Sequence, residues 1–161
     1  MPVTYRPIAT QTLGSTASTV TFSSIPSTYT DLILISSPIS TSNGNQFTMR
    51  INSDSGSNYS ATYLTGNGTS AASYRRTSAT SIIPDYLGAI DTTVKTVYQI
   101  NFMNYSNTTT NKTILIRSST GYAVEAVVAL WRSTSAITSF SLSMPDFATG
   151  STFTLYGIKA A

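Results

Sequence analysis

The sequence contains neither cysteine nor histidine. Without cysteine there is no disulfide framework and no thiol nucleophile, and nothing ties the chain to an oxidising or a reducing compartment. Without histidine the usual general base at neutral pH is missing, and the two commonest transition-metal ligands are absent together. Catalysis would have to rest on carboxylates, lysine or hydroxyls. Charge is scarce as well. Charged residues make up 9% of the chain, against about 25% in an ordinary globular domain. The basic residues exceed the acidic ones by three, but they are scattered, whereas a nucleic-acid groove clusters Lys and Arg with interleaved aromatics. Only Arg75 and Arg76 are adjacent, and neighbours on a strand point to opposite faces. A solvated positive balance is the reading, and no nucleic-acid partner is expected. Long apolar runs are lacking too: none approaches the ~20 residues of a membrane helix. Met1-Pro2-Val3-Thr4-Tyr5-Arg6-Pro7 has no apolar core of a signal peptide. Neither a membrane span nor a secretory leader is therefore expected, and release by lysis as part of a particle is one remaining route out of a cell.

What is present is a polar, hydroxyl-rich chain with a regular apolar beat. Hydrophobic residues are 40% of the total, and Ser and Thr together make about a third. At 161 residues one domain is the simplest reading, long enough to bury roughly 70% of the surface its unfolded chain exposes. No linker or repeat period divides it. Residues 1–12 read as an extended arm, because Pro2 and Pro7 remove backbone donors, and such a piece suits a sheet edge or a neighbouring subunit. Residues 13–161 read as the folded domain.

The stretch from Lys95 to Arg132 predicts three consecutive strands, Lys95–Asn104, Lys112–Ser118 and Tyr122–Arg132. Tyr98, Ile100 and Phe102 alternate with Gln99, Asn101 and Met103, and Val124, Ala126, Val128 and Leu130 with Glu125, Val127, Ala129 and Trp131. The period is two, and the even-numbered sets are expected to line the core. Shorter strands are predicted at Ser18–Phe22, around Phe47, Met49 and Ile51, at Tyr59–Thr65, at Ile137–Met144 and at Thr152–Ala160. The run Leu32-Ile33-Leu34-Ile35 is apolar on both sides and predicts a central strand buried on both faces. Tyr74 to Ile83 is ambiguous and holds one or two short strands. Pro84 to Thr93 reads as a long connection. Nine to eleven strands with frequent turn signals give an all-β, antiparallel two-sheet sandwich, with a jelly roll as the expected form.

No constellation marks a reactive centre. Asp85 and Asp91 share a loop, yet single loop aspartates are ordinary turn formers. Asn52-Ser53-Asp54-Ser55-Gly56-Ser57-Asn58 has oxygen ligands at alternate positions like the start of a calcium loop, but Tyr63 stands where a bidentate glutamate belongs. A tight turn is the expectation, with no metal and no cofactor. Five N-x-S/T sequons, at Asn58, Asn67, Asn104, Asn107 and Asn111, are what so Ser/Thr-rich a chain yields by chance. More informative is the face opposite the expected core: Val97, Met103, Leu115, Val127, Ala129 and Trp131, mixed with Gln99, Asn101, Arg117 and Glu125. An apolar centre with a polar rim, including the only tryptophan, is the pattern of an interface. Two alternatives stand beside it: another part of the same chain covers this face, or the two faces are exchanged. Edge charges are few, which favours burial in a symmetric homo-oligomer, with a trimer as the first candidate.

Several segments carry a family resemblance. Thr21-Phe22-Ser23-Ser24-Ile25-Pro26 with Tyr29-Thr30-Asp31-Leu32, RINSDSGSNYSATYL from Arg50, NYSNTTTNKT from Asn104 and the ending GSTFTLYGIKAA resemble small structural proteins of tailed bacteriophages, most closely virion proteins of phages of cyanobacteria and other aquatic bacteria. The resemblance runs from about Ile8 to the C-terminus through turn-and-strand patterns, and it carries no catalytic or ligand-binding residue. It implies a virion component without enzymatic activity: a capsid decoration or cement protein, partnered by the major capsid protein or other virion proteins, stabilising the assembled shell. The alternative it implies is a tail accessory or fibre-tip domain that binds host-surface carbohydrate.

Overall fold

The computed structural model describes residues 4–87, 90–93 and 95–159. Met1, Pro2 and Val3 of the expected arm, Gly88 of the long connection and Ala160 of the last expected strand lie outside them. Within them run eleven strands: β1 (Tyr5–Thr12), β2 (Ala17–Phe22), β3 (Asp31–Ser37), β4 (Thr48–Ile51), β5 (Tyr59–Gly66), β6 (Ala71–Ala79), β7 (Val97–Phe102), β8 (Lys112–Ser119), β9 (Val124–Trp131), β10 (Phe140–Phe147) and β11 (Thr152–Ile158). Among the described residues no helix forms, as the β-branched content and period of two predict. Of Tyr74 to Ile83, Tyr74–Ala79 belong to one strand, β6, which starts earlier, at Ala71, and Ile82 forms an isolated bridge to Met49.

Eight strands form one sheet in the order β1-β11-β3-β7-β8-β9-β5-β6, and three form a second in the order β2-β10-β4. All pairs are antiparallel. The expected antiparallel sandwich is therefore present, while the eight-plus-three division does not establish the jelly roll. Residues 5–12 take the sheet edge as β1, paired along β11 from Tyr5↔Ile158 to Thr12↔Thr152.

Alternation decides which residues meet between the layers. From the small sheet Val20, Phe22, Phe140, Leu142, Met49 and Ile51 are buried, and from the large one Leu32, Leu34, Tyr98, Ile100, Phe102, Ile114, Ile116, Phe153 and Leu155. Phe140 lies between Phe22 (5.1 Å between ring centroids) and Phe102 (4.8 Å), so one stack of three rings crosses the layers. Buried tyrosines bring their hydroxyls to partners, as burial demands: Tyr59 donates to Asp54 O at 3.0 Å and Tyr63 to Ile83 O at 3.1 Å. Two of the sequons are turn chemistry. Asn67 Oδ1 accepts from Thr69 and Ser70 N at 3.1 and 2.8 Å, and Asn107 Oδ1 from Thr109 and Thr110 N at 2.7 and 2.8 Å. Both are Asx turns.

Gly157 interrupts the core face of β11 for a visible reason. A Cβ there would lie 2.3 Å from Cγ of Tyr29, whose ring occupies that space. Gly157→Ala is expected to cost about 1–3 kcal/mol by forcing the ring out. Adding Tyr29→Ala should make the pair less than additive in urea unfolding, because the clash is then gone; strict additivity would contradict this packing.

Candidate docking surface

The inner face of the large sheet is covered by the small sheet and by the connection after β6. Its outer face has no cover among the described residues. Register places four rows of side chains there. One row reads Pro7, Tyr156, Ile33, Asn101, Leu115, Val128, Thr62, Arg75 from edge to edge. The next reads Thr154, Ile35, Gln99, Arg117, Ala126, Leu64, Ser73. Val97, Ser119 and Val124 lie in a third, and Tyr5, Asp31, Thr113 and Leu130 in the fourth. Several of these project far into solvent: Leu64 is 60% exposed, Val124 57% and Val128 56%. Among the described strand residues the only charges on this face are Asp31, Arg75 and Arg117. Depressions run between the projecting side chains. One of about 390 Å³ is lined by Tyr5, Ile33, Ile35, Gln99 and Tyr156, and another by residues that include Leu64, Leu115, Ala126 and Val128.

The molecule carries its own comparison. The small sheet also turns one face to solvent, and there the outward residues are Thr19, Thr21, Ser141, Ser143, Thr48 and Arg50. Thr19 and Ser143 share a hydrogen bond across it, 3.2 Å long. That is the ordinary composition of a solvated antiparallel face. The large face, built by the same chain, mixes polar residues with exposed Leu64, Val97, Val124 and Val128, where the small one shows no exposed large apolar side chain. Large apolar side chains grouped in solvent on one face mark a candidate interaction site.

Of the six residues expected at an interface, the structure brings Val97, Met103 and Leu115 to the outer side. Val127, Ala129 and Trp131 are buried in the core instead. The expected face of β9 is thus inverted: Leu115 pairs with Val128 and Ile116 with Val127, so Val124, Ala126, Val128 and Leu130 point outward. Glu125 explains the error. A charge normally marks the solvent side of a strand, but this one is buried on the inner face. Its Oε2 accepts from Tyr86 N and its Oε1 from Leu87 N, each at 2.6 Å. The carboxylate fastens the connection after β6 to the sheet. Tyr86 then stacks on Tyr74 at 4.3 Å.

Under that connection lies the carboxyl with the largest shift among the described residues. Asp85 is fully buried, takes a hydrogen bond from the Tyr98 hydroxyl on Oδ2, and has no partner on Oδ1 among the described residues. Desolvation pushes its pKa up to about 7; the Tyr98 hydrogen bond pulls it down, and the negative charge of Glu125 raises it further. Burial, with the neighbouring Asp85 charge second, raises Tyr98 in turn. Asp91 is occupied elsewhere, accepting from Thr93 N at 2.7 Å.

The calcium-like loop is a turn pinned to the core. Asp54 Oδ2 accepts from Trp131 Nε1 at 2.7 Å and Asn58 Nδ2 at 2.9 Å, and Oδ1 from Gly56 N at 2.8 Å. The Trp131 and Asn58 hydrogen bonds hold its pKa below the ordinary value. Trp131 therefore serves as a strut. Residues not expected at an interface, among them Tyr5, Ile35, Leu64, Val124, Val128 and Tyr156, supply much of the apolar side-chain surface there; Ile35, Val124 and Val128 are among those expected in the core. The legible signal was the two-sided apolarity of β3 and β9. No protein-family model matches the chain, and no curated protein matches it significantly.

Proposed function

We propose that this protein is a structural component of a tailed-phage virion, a capsid decoration protein that works by adhesion and assembles through the outer face of its large sheet. The observation that carries the adhesive part is the contrast between the two solvent-facing sheet faces, one hydroxylic and one with Leu64, Val97, Val124 and Val128 exposed. The virion part rests on the sequence resemblance described above. Binding only the assembled shell lowers the shell's free energy by RT ln(1 + [L]/Kd) per site, about 2.7 kcal/mol when free protein is at 100 times Kd. The purified protein is expected to co-sediment with shells of a tailed phage and to leave the shells more resistant to heat. Failure to bind any such shell contradicts the decoration role.

One observation favours the second reading, a carbohydrate-binding tail domain: Tyr5, Tyr156 and Gln99 line the same depression, and a tyrosine ring offers a stacking surface to a sugar. A glycan array separates the two. A decoration protein shows no sugar preference, whereas a glycan signal lost in Tyr156→Ala establishes the tail reading.

A further inference from the structure

The geometry points to a second copy of this chain as the occupant of the outer face, in a two-fold dimer with the large sheets packed face to face. This inference rests on the reading of that face as an assembly surface and names what covers it.

The eight strands, at about 4.8 Å each, span roughly 38 Å, and four outward rows cover about 20–25 Å along the strands. The product is near the ~800 Å² per partner of a stable protein interface. One copy of the sheet is thus about the size of the surface that a stable contact needs.

The edges argue for the face over strand-to-strand pairing. β1 carries Pro7 and a bulge between Pro7 and Ala9. β6 carries Arg75 and Arg76, a left-handed residue at Ser78 (φ 51) and a register shift opposite Tyr59–Ala61. Proline, charge and bulges blunt edges against pairing. The outer face carries charge at Asp31, Arg75 and Arg117, and exposed Leu64, Val124 and Val128 lie between them.

Symmetry chooses two copies rather than three. A three-fold ring gives each copy two different contact surfaces, while an isologous pair uses one surface twice. Among the described residues the only other sheet face turned to solvent is the Ser/Thr-rich one. A two-fold axis between the sheets and along the strands lays β8 over β7 of the second copy, β9 over β3, β5 over β11 and β6 over β1. Val128 and Leu64 then meet the side of the sheet that holds the Tyr5–Ile33–Tyr156 depression. Strand for strand, Arg117 faces the strand of Gln99, Arg75 the strand of Tyr5 and Asp31 the strand of Val128, so the closest like pair is the two Arg117 side chains, about one strand spacing apart on facing sheets. Two sheets about 10 Å apart, crossed by about 30°, interdigitate in this way within ordinary sandwiches.

The test is light scattering coupled to gel filtration, together with shell co-sedimentation, on the full chain and three variants. The wild type is expected at twice the 17.2 kDa chain mass. Val128→Asp and Leu64→Asp, both at exposed sites, are expected to weaken the dimer at least ~100-fold by burying unpaired charge, with the circular-dichroism spectrum unchanged. Thr21→Asp, on the hydroxylic face, should leave the mass unaltered. A wild type that stays monomeric through the dilution series overturns the second copy. If Val128→Asp then abolishes shell binding, the face meets the shell directly and the adhesive reading survives. If shell binding is also indifferent to Val128→Asp, both inferences fall. A wild-type dimer that dissociates in Val128→Asp but binds no shell keeps the dimer and removes the decoration role.

Discussion

Phe140→Ala destabilises the fold by about 3–5 kcal/mol, the range for emptying a buried aromatic site. Phe140 is at the start of β10, the middle strand of the small sheet, with β2 on one side and β4 on the other. Its ring stacks between Phe22 of its own sheet and Phe102 of the opposite one, with interplanar angles of 29° and 27°. Alanine removes both ring pairs, each worth about 0.5–1.5 kcal/mol beyond area burial, and leaves a void where the layers meet. For a chain of this size the melting temperature should fall by roughly 10 °C or more. Phe140→Leu keeps much of the volume and should cost less than half as much. A loss below about 1 kcal/mol in Phe140→Ala would show that the layers do not depend on this stack.

Asp85 gives the second large effect, and it is one of pH. Its pKa is raised from 3.8 in the unfolded chain to about 7 in the fold. Between those values the native state binds the proton and the unfolded state does not. The stability that Asp85 contributes is therefore largest near the lower value, falls as pH rises and levels off above about 7. The change from this one group is on the order of 4 kcal/mol. Asp85→Asn keeps an acceptor for the Tyr98 hydroxyl and cannot ionise. The variant should lose this descending limb and be the more stable protein at pH 8, read by urea titrations from pH 4 to 8. An undiminished slope in Asp85→Asn would place the titrating group elsewhere.

The fold class was legible because alternation is a local property. In β7 the pattern Tyr98, Ile100, Phe102 against Gln99 and Asn101 is unambiguous, and the structure places each residue as the pattern demands. In β9 every residue from Ala126 to Trp131 is apolar, so the period survives but its phase does not. The faces of β9 are exchanged relative to the expected ones, as one of the alternatives allowed, and the single charge, Glu125, does not mark the solvent side, since its partners are two amides of a loop about 38 residues away in sequence. β3 failed in a related way. Leu32 to Ile35 reads as buried on both faces, and Ile33 is, at 7% exposure, while Ile35 stands at 37% on the uncovered side. An apolar strand that awaits a partner and one that already has it look alike in sequence. The docking face was therefore half visible: Val97, Met103 and Leu115 were found, and Val128, Leu64 and Tyr156 required the register.

The claim that this face is where the protein assembles is tested most directly by hydroxyl-radical footprinting, with the protein dilute and then assembled on itself or on a shell. Assembly is expected to protect Leu64, Met103 and Tyr5 while Tyr122, at the β8–β9 turn, stays as reactive as before. Equal reactivity of Leu64, Met103 and Tyr5 in both states, with protection appearing on the hydroxylic side instead, would contradict it.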